Sequence, residues 1–496
     1  MSEKVLKIEK CCPEDVGIPS ERLMNMMDHL GAKGVPMHSL LIMRHEKLAC
    51  ECYYAPFKRS DTHRMFSVSK TLTAIGIGLL EADRKIKLED HICDYFPEYV
   101  DKNTHPWIKE TTILDMLTMR TCHASTTYKI NMKDDWVKSF FTVAPTHPSG
   151  RYFHYDTSSA HTLCALVEKI SGMKLIDYIR FKMPEMGLSD KAYMLADPFG
   201  VSIGGSGLIA TSEDMLRFGY MLMNKGKVCG KRLIPESFMN KALSFQTPTL
   251  VTGPVPSEQC GYGYMTWIGE KGNPVCYGMG GQLIILLPEQ DMIVVTTADT
   301  QEISGGNQLI YDALYNLVLP YITDDAIPYG EAKAAQFTEY TAGLSLQPLT
   351  KDNSAFSSVS ASAKPSYRSK LIPEISGKTY NLSDNPQGFK NMSITFEENK
   401  KHALLSFSLG DETHSFELGL GRLCEGIFPI YSQRYAASGI WLTPDIFYIY
   451  VHIIGEYVGS IKFVLSFKDG SLSVFVKKHE ESLFNEFNGH FYGTAE

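Results

Sequence analysis

The sequence predicts an α+β protein, in which a mixed domain of helices and antiparallel strands is followed by a smaller domain of strands alone. Three observations carry this. From about residue 15 to 325, helical periodicity alternates with short apolar strands. Between about 330 and 372 the texture changes to Ser, Ala, Thr and Lys, as in SLQPLTKDNSAFSSVSASAKPSYRSK, which buries little apolar surface and reads as a linker. Beyond it the chain is almost wholly β-branched, aromatic and alternating. A chain of 496 residues also exceeds what one core usually serves. The expected divisions are 1–328 for the mixed domain, 329–374 for the linker and 375–496 for the all-β domain.

The elements follow in order. Residues 39–54 read as a hairpin, SLLIMR and LACECYY about a polar turn at His45-Glu46-Lys47. Residues 71–83 place apolar side chains at helical spacing with few breakers, so a largely buried helix is expected there, with further helices over 112–119 and 160–171. GGQLIILLP and DMIVVTTA, separated by Pro288-Glu289-Gln290-Asp291, return to strands. In the last domain ALLSFSL alternates, FYIYVHII is β-branched and aromatic, and Asp469-Gly470 marks a hairpin turn. A small antiparallel barrel or sandwich is the expectation.

Composition excludes several classes of function. The net charge of -8 offers no basic face for nucleic acid. Leu283-Ile284-Ile285-Leu286-Leu287, among the longest apolar runs, is strand-sized and far short of a bilayer span. The opening MSEKVLKIEK has no apolar signal-peptide core. Eleven cysteines form no CxxC pair or metal-ligand spacing, so free thiols in a reducing cytoplasm are expected, with neither metal nor organic cofactor.

The sharpest local feature is Phe66-Ser67-Val68-Ser69-Lys70-Thr71, an S-x-x-K motif opening the apolar helix. Positions i and i+3 share a helix face, which brings the Ser67 hydroxyl and the Lys70 ammonium within hydrogen-bond reach. Burial weakens a lysine's hold on its proton and lets it act as a base. A helix N-terminus also turns backbone N–H groups toward a developing oxyanion. The bare motif is equally what an N-capping serine with a snorkelling lysine gives.

The surrounding text is more specific. HRMFSVSKTLTA, TILDMLTM, GRYFHYDTSSAHTLCALVEKISG, GGSGLIATSEDMLRFGYML, GYGYMTW and GMGGQLIILLPEQDMIVV, in that order over roughly residues 35–300, resemble the serine β-lactamase and penicillin-binding-protein superfamily. Within it they are similar to the class C-like esterases, D-aminopeptidases and 6-aminohexanoate-oligomer hydrolases. The resemblance implies a β-lactamase-like first domain, an antiparallel sheet flanked by helices with a helical subdomain, and a lipocalin-like second one. It implies Ser67 as nucleophile with Lys70 and Tyr155 as its proton relay. Tyr155-Asp156-Thr157 stands where the family has Tyr-x-Asn, with Thr157 in the asparagine's place, and the nearby lysine is expected to lower the Tyr155 pKa. Cys276-Tyr277-Gly278 stands where relatives carry Lys/His-Thr-Gly, so only the glycine matches. Gly278 then lets the backbone approach substrate, and Met279 supplies the second oxyanion N–H beside that of Ser67. Gly280 and Gly281 offer competing registers, which makes Gly281 a further substrate-binding candidate. No lysine or histidine stands at position 276 to grip a substrate carboxylate; Arg151 or Arg217 from another loop are the candidate replacements.

Other segments resemble motifs without the right context. Ser383-Asp384-Asn385 matches a β-lactamase triplet but lies in the all-β domain, where a turn is expected. Gly204-Gly205-Ser206-Gly207 lacks the last glycine of a nucleophile elbow and is expected as a close-approach loop at the mouth of the site. His63 and His123 flank the motifs and are expected to be structural. The function implied is a serine hydrolase passing an acyl group from a small ester or amide through Ser67 to water. The alternatives are an acyltransferase with an alcohol or amine acceptor, and a non-catalytic ligand-binding module. For the all-β domain two roles stand side by side: a loop that narrows the active-site mouth, or a stabilising or dimer-forming body.

Overall fold

The computed structural model describes residues 5–253, 255–351, 364–397 and 401–495. Its first domain is built on a seven-stranded sheet in the order Glu9–Lys10, Lys47–Tyr53, Met37–Arg44, Met292–Ala298, Gln282–Leu287, Pro274–Gly278, Trp267–Ile268. Only the first pair runs parallel. The expected hairpin is formed by Met37–Arg44 and Lys47–Tyr53, with His45 and Glu46 both left-handed (φ 49° and 61°), the backbone of a type I′ turn.

The three central strands are buried along their whole length, so helices must cover both faces. Ser212–Met223 packs on the central strands and Val68–Ala82 on the two that end near the site. Ser39 Oγ fastens the first of these helices to the sheet, 2.8 Å from Ser212 Oγ and 2.7 Å from Thr297 Oγ1. Beyond the sheet, Thr157–Ser171 packs against Val68–Ala82, and Trp136–Thr142 and Ile113–Leu117 pack against Thr157–Ser171, making the helical subdomain.

The last domain is a ten-stranded sheet, antiparallel except for the single parallel pair Gly419–Ser438 that closes it, with Cys424–Phe428 as a flanking strand, so that nine strands make the ring. Closure removes the exposed edges that ten strands would otherwise present. The interior is filled by rings: Phe407, Phe428, Phe463, Phe484 and Phe487 are all fully buried there. Asp469-Gly470 forms the expected turn between Gly459–Lys468 and Ser471–His479, both residues left-handed. Ser383-Asp384-Asn385 lies in the connection between Thr379–Leu382 and Phe389–Glu397, the Asn385 side chain bonding the Ser383 and Phe389 carbonyls, as a turn should.

The stretch expected as a linker contains more order than its composition suggests. Glu331–Ala342 is a helix that packs beside Ser20–Ala32, with Phe337 buried in the main core and Tyr340 Oη 2.7 Å from an Asp28 carboxylate oxygen. Residues 352–363 of that stretch lie outside the described residues. The two domains meet over a broad contact. Arg434 pairs with Asp61 at 3.0 Å, Lys462 and His479 both pair with Glu302, and Tyr193 Oη donates to Glu456 at 2.8 Å.

Candidate active site

The helix Val68–Ala82 begins at Ser67, which is half-buried. Its predecessor Phe66 takes a left-handed backbone (φ 43°), a conformation that costs a bulky residue energy and marks a constrained turn. Two contacts hold the turn in place. Ser69 Oγ donates to the Phe66 carbonyl at 2.6 Å and accepts from the Leu208 N–H at 2.9 Å.

One turn into the helix, Lys70 is 1% exposed, and its Nζ lies 3.0 Å from Ser67 Oγ and 2.7 Å from the Gly205 carbonyl oxygen. Burial pushes the Lys70 pKa down to about 7, against the opposing pull of Asp156 and Glu481 and with Lys129 adding to the fall. A lysine that is half neutral at neutral pH can take a proton from a hydroxyl 3.0 Å away.

Tyr155 completes the group. Lys70 Nζ stands 4.8 Å over its ring, and Trp267 stacks on it with centroids 5.5 Å apart. The Tyr155 hydroxyl is buried and unpaired by ordinary hydrogen-bond geometry. The expected lowering of its pKa is not found: burial pushes it up, with the Ser67 hydroxyl only partly opposing. Lys70 gives up its proton well below the pH at which the phenol titrates, so it offers Tyr155 no positive charge when that proton would leave. Proton affinity is tuned on Lys70, and Tyr155 stays a neutral phenol.

Asp156, between Tyr155 and Thr157, caps the helix Thr157–Ser171, accepting from the N–H and hydroxyl groups of both Ser158 and Ser159. Thr157 sits beside Gly205, where a Cβ would lie 2.3 Å from the Thr157 methyl carbon. Gly205 therefore leaves its carbonyl free to approach Lys70, the close-approach role expected of the Gly204–Gly207 loop.

The strand Pro274–Gly278 runs alongside. A Cβ on Gly278 would stand 2.3 Å from the Met65 carbonyl oxygen, so this glycine lies directly on the backbone two residues before the nucleophile. Met279 follows, half-buried. Among the described residues neither the Met279 N–H nor the Ser67 N–H donates a hydrogen bond. Gln282, fully buried, staples this loop by donating to the Met279 carbonyl at 2.9 Å and the Ala298 carbonyl at 2.8 Å. Gly281 is placed apart, buried in the turn against Ala298 and Ile310. Cys276 is fully buried, its thiol pushed up to about 12 and its one opposing partner the Thr71 hydroxyl of the nucleophile helix.

The remaining candidates stand elsewhere. Arg217 is held by Glu213 and by the Leu6 and Met186 carbonyls, and Arg151 is exposed. His63 is buried against His38, and His123 Nε2 donates to the Phe140 carbonyl at 2.9 Å, so both have structural partners. Sequence reasoning missed Trp267, Gly205 as Lys70's acceptor, the Gln282 staple, and the Arg64–Glu481 ion pair. Of these only Gln282 had a local signal, as the polar residue opening an otherwise apolar strand.

Comparison with known proteins identifies the family and the fold. The family model described as Beta-lactamase matches residues 23–314. A 6-aminohexanoate-dimer hydrolase from Paenarthrobacter ureafaciens is 21% identical over 279 residues, covering 52% of this chain and 71% of that protein. Among solved structures, a protein described as a putative 6-aminohexanoate-dimer hydrolase from Bacillus anthracis superposes with a TM-score of 0.50 at 20% identity, over 63% of this chain and 86% of the other. One described as a putative beta-lactamase from Bacteroides dorei gives 0.50 at 14% identity, over 60% and 97%. Among the described residues no helix is long and apolar enough to cross a membrane. With the matched region spanning more than half of its length, the chain belongs to the Beta-lactamase family of serine hydrolases.

Proposed function

We propose that the protein is an esterase or amidase that works through an acyl-Ser67 intermediate on a small substrate. The observation that carries this is the contact between Lys70 and Ser67: a buried amine with a pKa near 7, 3.0 Å from a serine hydroxyl. In the first half-reaction Ser67 Oγ bonds to the acyl carbon as its proton passes to Lys70 Nζ. The carbonyl oxygen becomes an oxyanion facing the N–H groups of Ser67 and Met279. The Tyr155 phenol gives its proton to the leaving alkoxide or amine and is restored by the Lys70 ammonium. The C–O or C–N bond of the leaving group breaks in this step. Water then attacks the acyl-enzyme by the same route in reverse, releasing the acid and regenerating Ser67.

Gly278 supports the strand's close approach, and Thr157 bears on the Lys70 acceptor Gly205. The name of the Paenarthrobacter relative makes a linear 6-aminohexanoate dimer a sensible member of the substrate panel, beside p-nitrophenyl esters, D-aminoacyl amides and nitrocefin. A fluorophosphonate probe tests the reading directly. Mass added at Ser67, and abolished in a folded Ser67→Ala protein together with turnover, is the expected result. A folded Ser67→Ala protein with undiminished esterase activity overturns it.

A further inference from the structure

We propose that the C-terminal barrel supports the catalytic apparatus: its loop at residues 480–484 grips Arg64, a positioning residue that holds the Ser206–Gly205 backbone against Lys70. The inference rests on the acyl-Ser67 reading above and adds to it the role of the second domain.

Arg64 precedes the nucleophile by three residues and is 4% exposed. Its Nε donates to the Ser206 carbonyl at 3.1 Å, and its Nη2 reaches Ser206 Oγ at 3.5 Å and Glu481 at 3.2 Å. Nη1 donates to Ser482 Oγ, the guanidinium carbon stands 4.8 Å over the Phe66 ring, and the Arg64 N–H donates to the Glu456 carbonyl at 2.8 Å. The fork is thus shared between the two domains. On its catalytic side the next carbonyl along, that of Gly205, is the one that accepts from Lys70 at 2.7 Å. Arg64 and this loop are also registered through backbone, since His63–Arg64 pairs with Leu208–Ala210 and Phe66 bridges to Gly207.

The barrel loop is built to bear load. Phe484 and Phe487 are fully buried in the barrel core, and the buried Glu480 accepts from the Ser482 N–H at 2.7 Å and from the Leu483 N–H. The exposed side of the same loop carries Glu481 and Ser482 to Arg64. A simple fastening between domains would hold the barrel in place without reaching the reacting groups. Here the charged groups that act on Lys70 are Asp156 and Lys129 from its own domain and Glu481 from the other, with Tyr155 lying against it. A lysine at position 64 keeps the charge but lacks the planar fork that spans Ser206, Ser482 and Glu481 together.

The test uses the full chain with Arg64→Lys, Ser482→Ala and Glu481→Gln. Two quantities are read: the rate of fluorophosphonate acylation at Ser67, and amide hydrogen exchange over residues 203–208, where the Ser206 and Gly207 N–H groups are held by the Ile203 carbonyl. Glu481→Gln is expected to speed exchange over 203–208 and to slow acylation by less than Arg64→Lys does, because the Arg64 fork loses one of its partners. Arg64→Lys is expected to slow acylation about tenfold or more and to speed exchange over 203–208, with Ser482→Ala moving both in the same direction by less. Ser482 is exposed, so its variant keeps the question open to an answer even where Arg64→Lys does not fold. Unchanged exchange over 203–208 in Arg64→Lys, Ser482→Ala and Glu481→Gln, or native acylation in a folded Arg64→Lys protein, overturns the proposal. Absence of any labelling at Ser67 in the native protein defeats the acyl-enzyme reading by itself, and the exchange measurement then still decides the role of Arg64.

Discussion

Gly278 lies so close to Met65 that any side chain on it would collide with the Met65 carbonyl oxygen, 2.3 Å from where a Cβ would stand. This contact joins the strand Pro274–Gly278, which leads into Met279, to the turn that presents Ser67. Gly278→Ala is therefore expected to push the Met279 loop away from the nucleophile. Acylation should fall about a hundredfold, the scale of losing one oxyanion donor. Thermal unfolding checks that the protein still folds. A folded variant with native acylation rates would show that this loop is not the oxyanion partner.

The lowered Lys70 pKa has a readable sign. With Lys70 at about 7, its proton-accepting form grows as pH rises, so acylation should climb through a midpoint near neutrality and level off above it. Tyr155, pushed up by burial, contributes no second limb in the same window. Stopped-flow acylation between pH 5 and 9 checks this, and a flat profile across neutrality would remove Lys70 as the base.

Lys70→Ala and Tyr155→Phe should each cost about a hundredfold or more in turnover, the usual range for lost acid–base help. Because the Lys70 amine sits against the Tyr155 ring and both face Ser67, the double variant should lose far less than the product of the two. Multiplicative losses would mean that the two groups serve separate proton paths.

The features legible in the sequence were those written locally. Ser67 and Lys70 share one helix face by spacing alone, and the type I′ turn at His45-Glu46 and the turn at Asp469-Gly470 are signalled by the residues that form them. What escaped depends on atoms distant along the chain. Arg64 meets Ser206 142 residues on and Ser482 418 residues on, and no periodicity reports either meeting. The acceptor of Lys70 is a backbone carbonyl, which carries no side-chain signature. The helix Glu331–Ala342 hides in a linker-like composition because the contact that helps to order it, Tyr340 to Asp28, spans 312 residues. The Tyr155 pKa was misjudged because burial, a property of the folded whole, outweighs the charge of one neighbour.

His63, which the sequence marks as structural, belongs to a neutral histidine cluster at the domain boundary. Its Nε2 lies 2.8 Å from His38 Nδ1, the His38 ring stacks 3.9 Å from Phe57, and His452 of the barrel acts on His38. Burial pushes His63 and His452 down to about 4 and His38 well below its usual value. The unfolded chain binds protons at these positions below about 6.5 while the folded one does not, so stability falls as pH drops from there toward 4. The slope reaches at most about 1.4 kcal/mol per pH unit for each histidine. Melting temperatures at pH 7 and pH 5 should differ accordingly, and His452→Phe should reduce the difference. An equal difference in that variant would exclude His452 from the acid sensitivity.

The last expectation concerns substrate charge. Where the β-lactamases that this chain resembles carry Lys or His, Cys276 is sealed against the nucleophile helix with its thiol neutral, so this position offers a substrate carboxylate nothing. Arg217 is spent on Glu213 and two carbonyls, Arg64 is engaged across the domain boundary, and Arg151 is exposed to solvent. Lys129 acts on Lys70 but is itself exposed, where solvent screens most of an ion pair's worth. A missing charge-assisted hydrogen bond is worth about 1.5–3 kcal/mol, or roughly 10- to 150-fold in kcat/KM. Uncharged short-chain esters such as p-nitrophenyl butyrate should therefore outrun nitrocefin by at least that margin. Restoring the cation at this position should not repair the deficit: Cys276→Lys buries an unpaired ammonium beside Thr71, and is expected to lower the melting temperature without raising β-lactam turnover. Nitrocefin turned over as fast as the ester by the native protein would show that a cation reaches the carboxylate by another route. Faster β-lactam turnover in a stable Cys276→Lys variant would show instead that the strand opens toward the cleft.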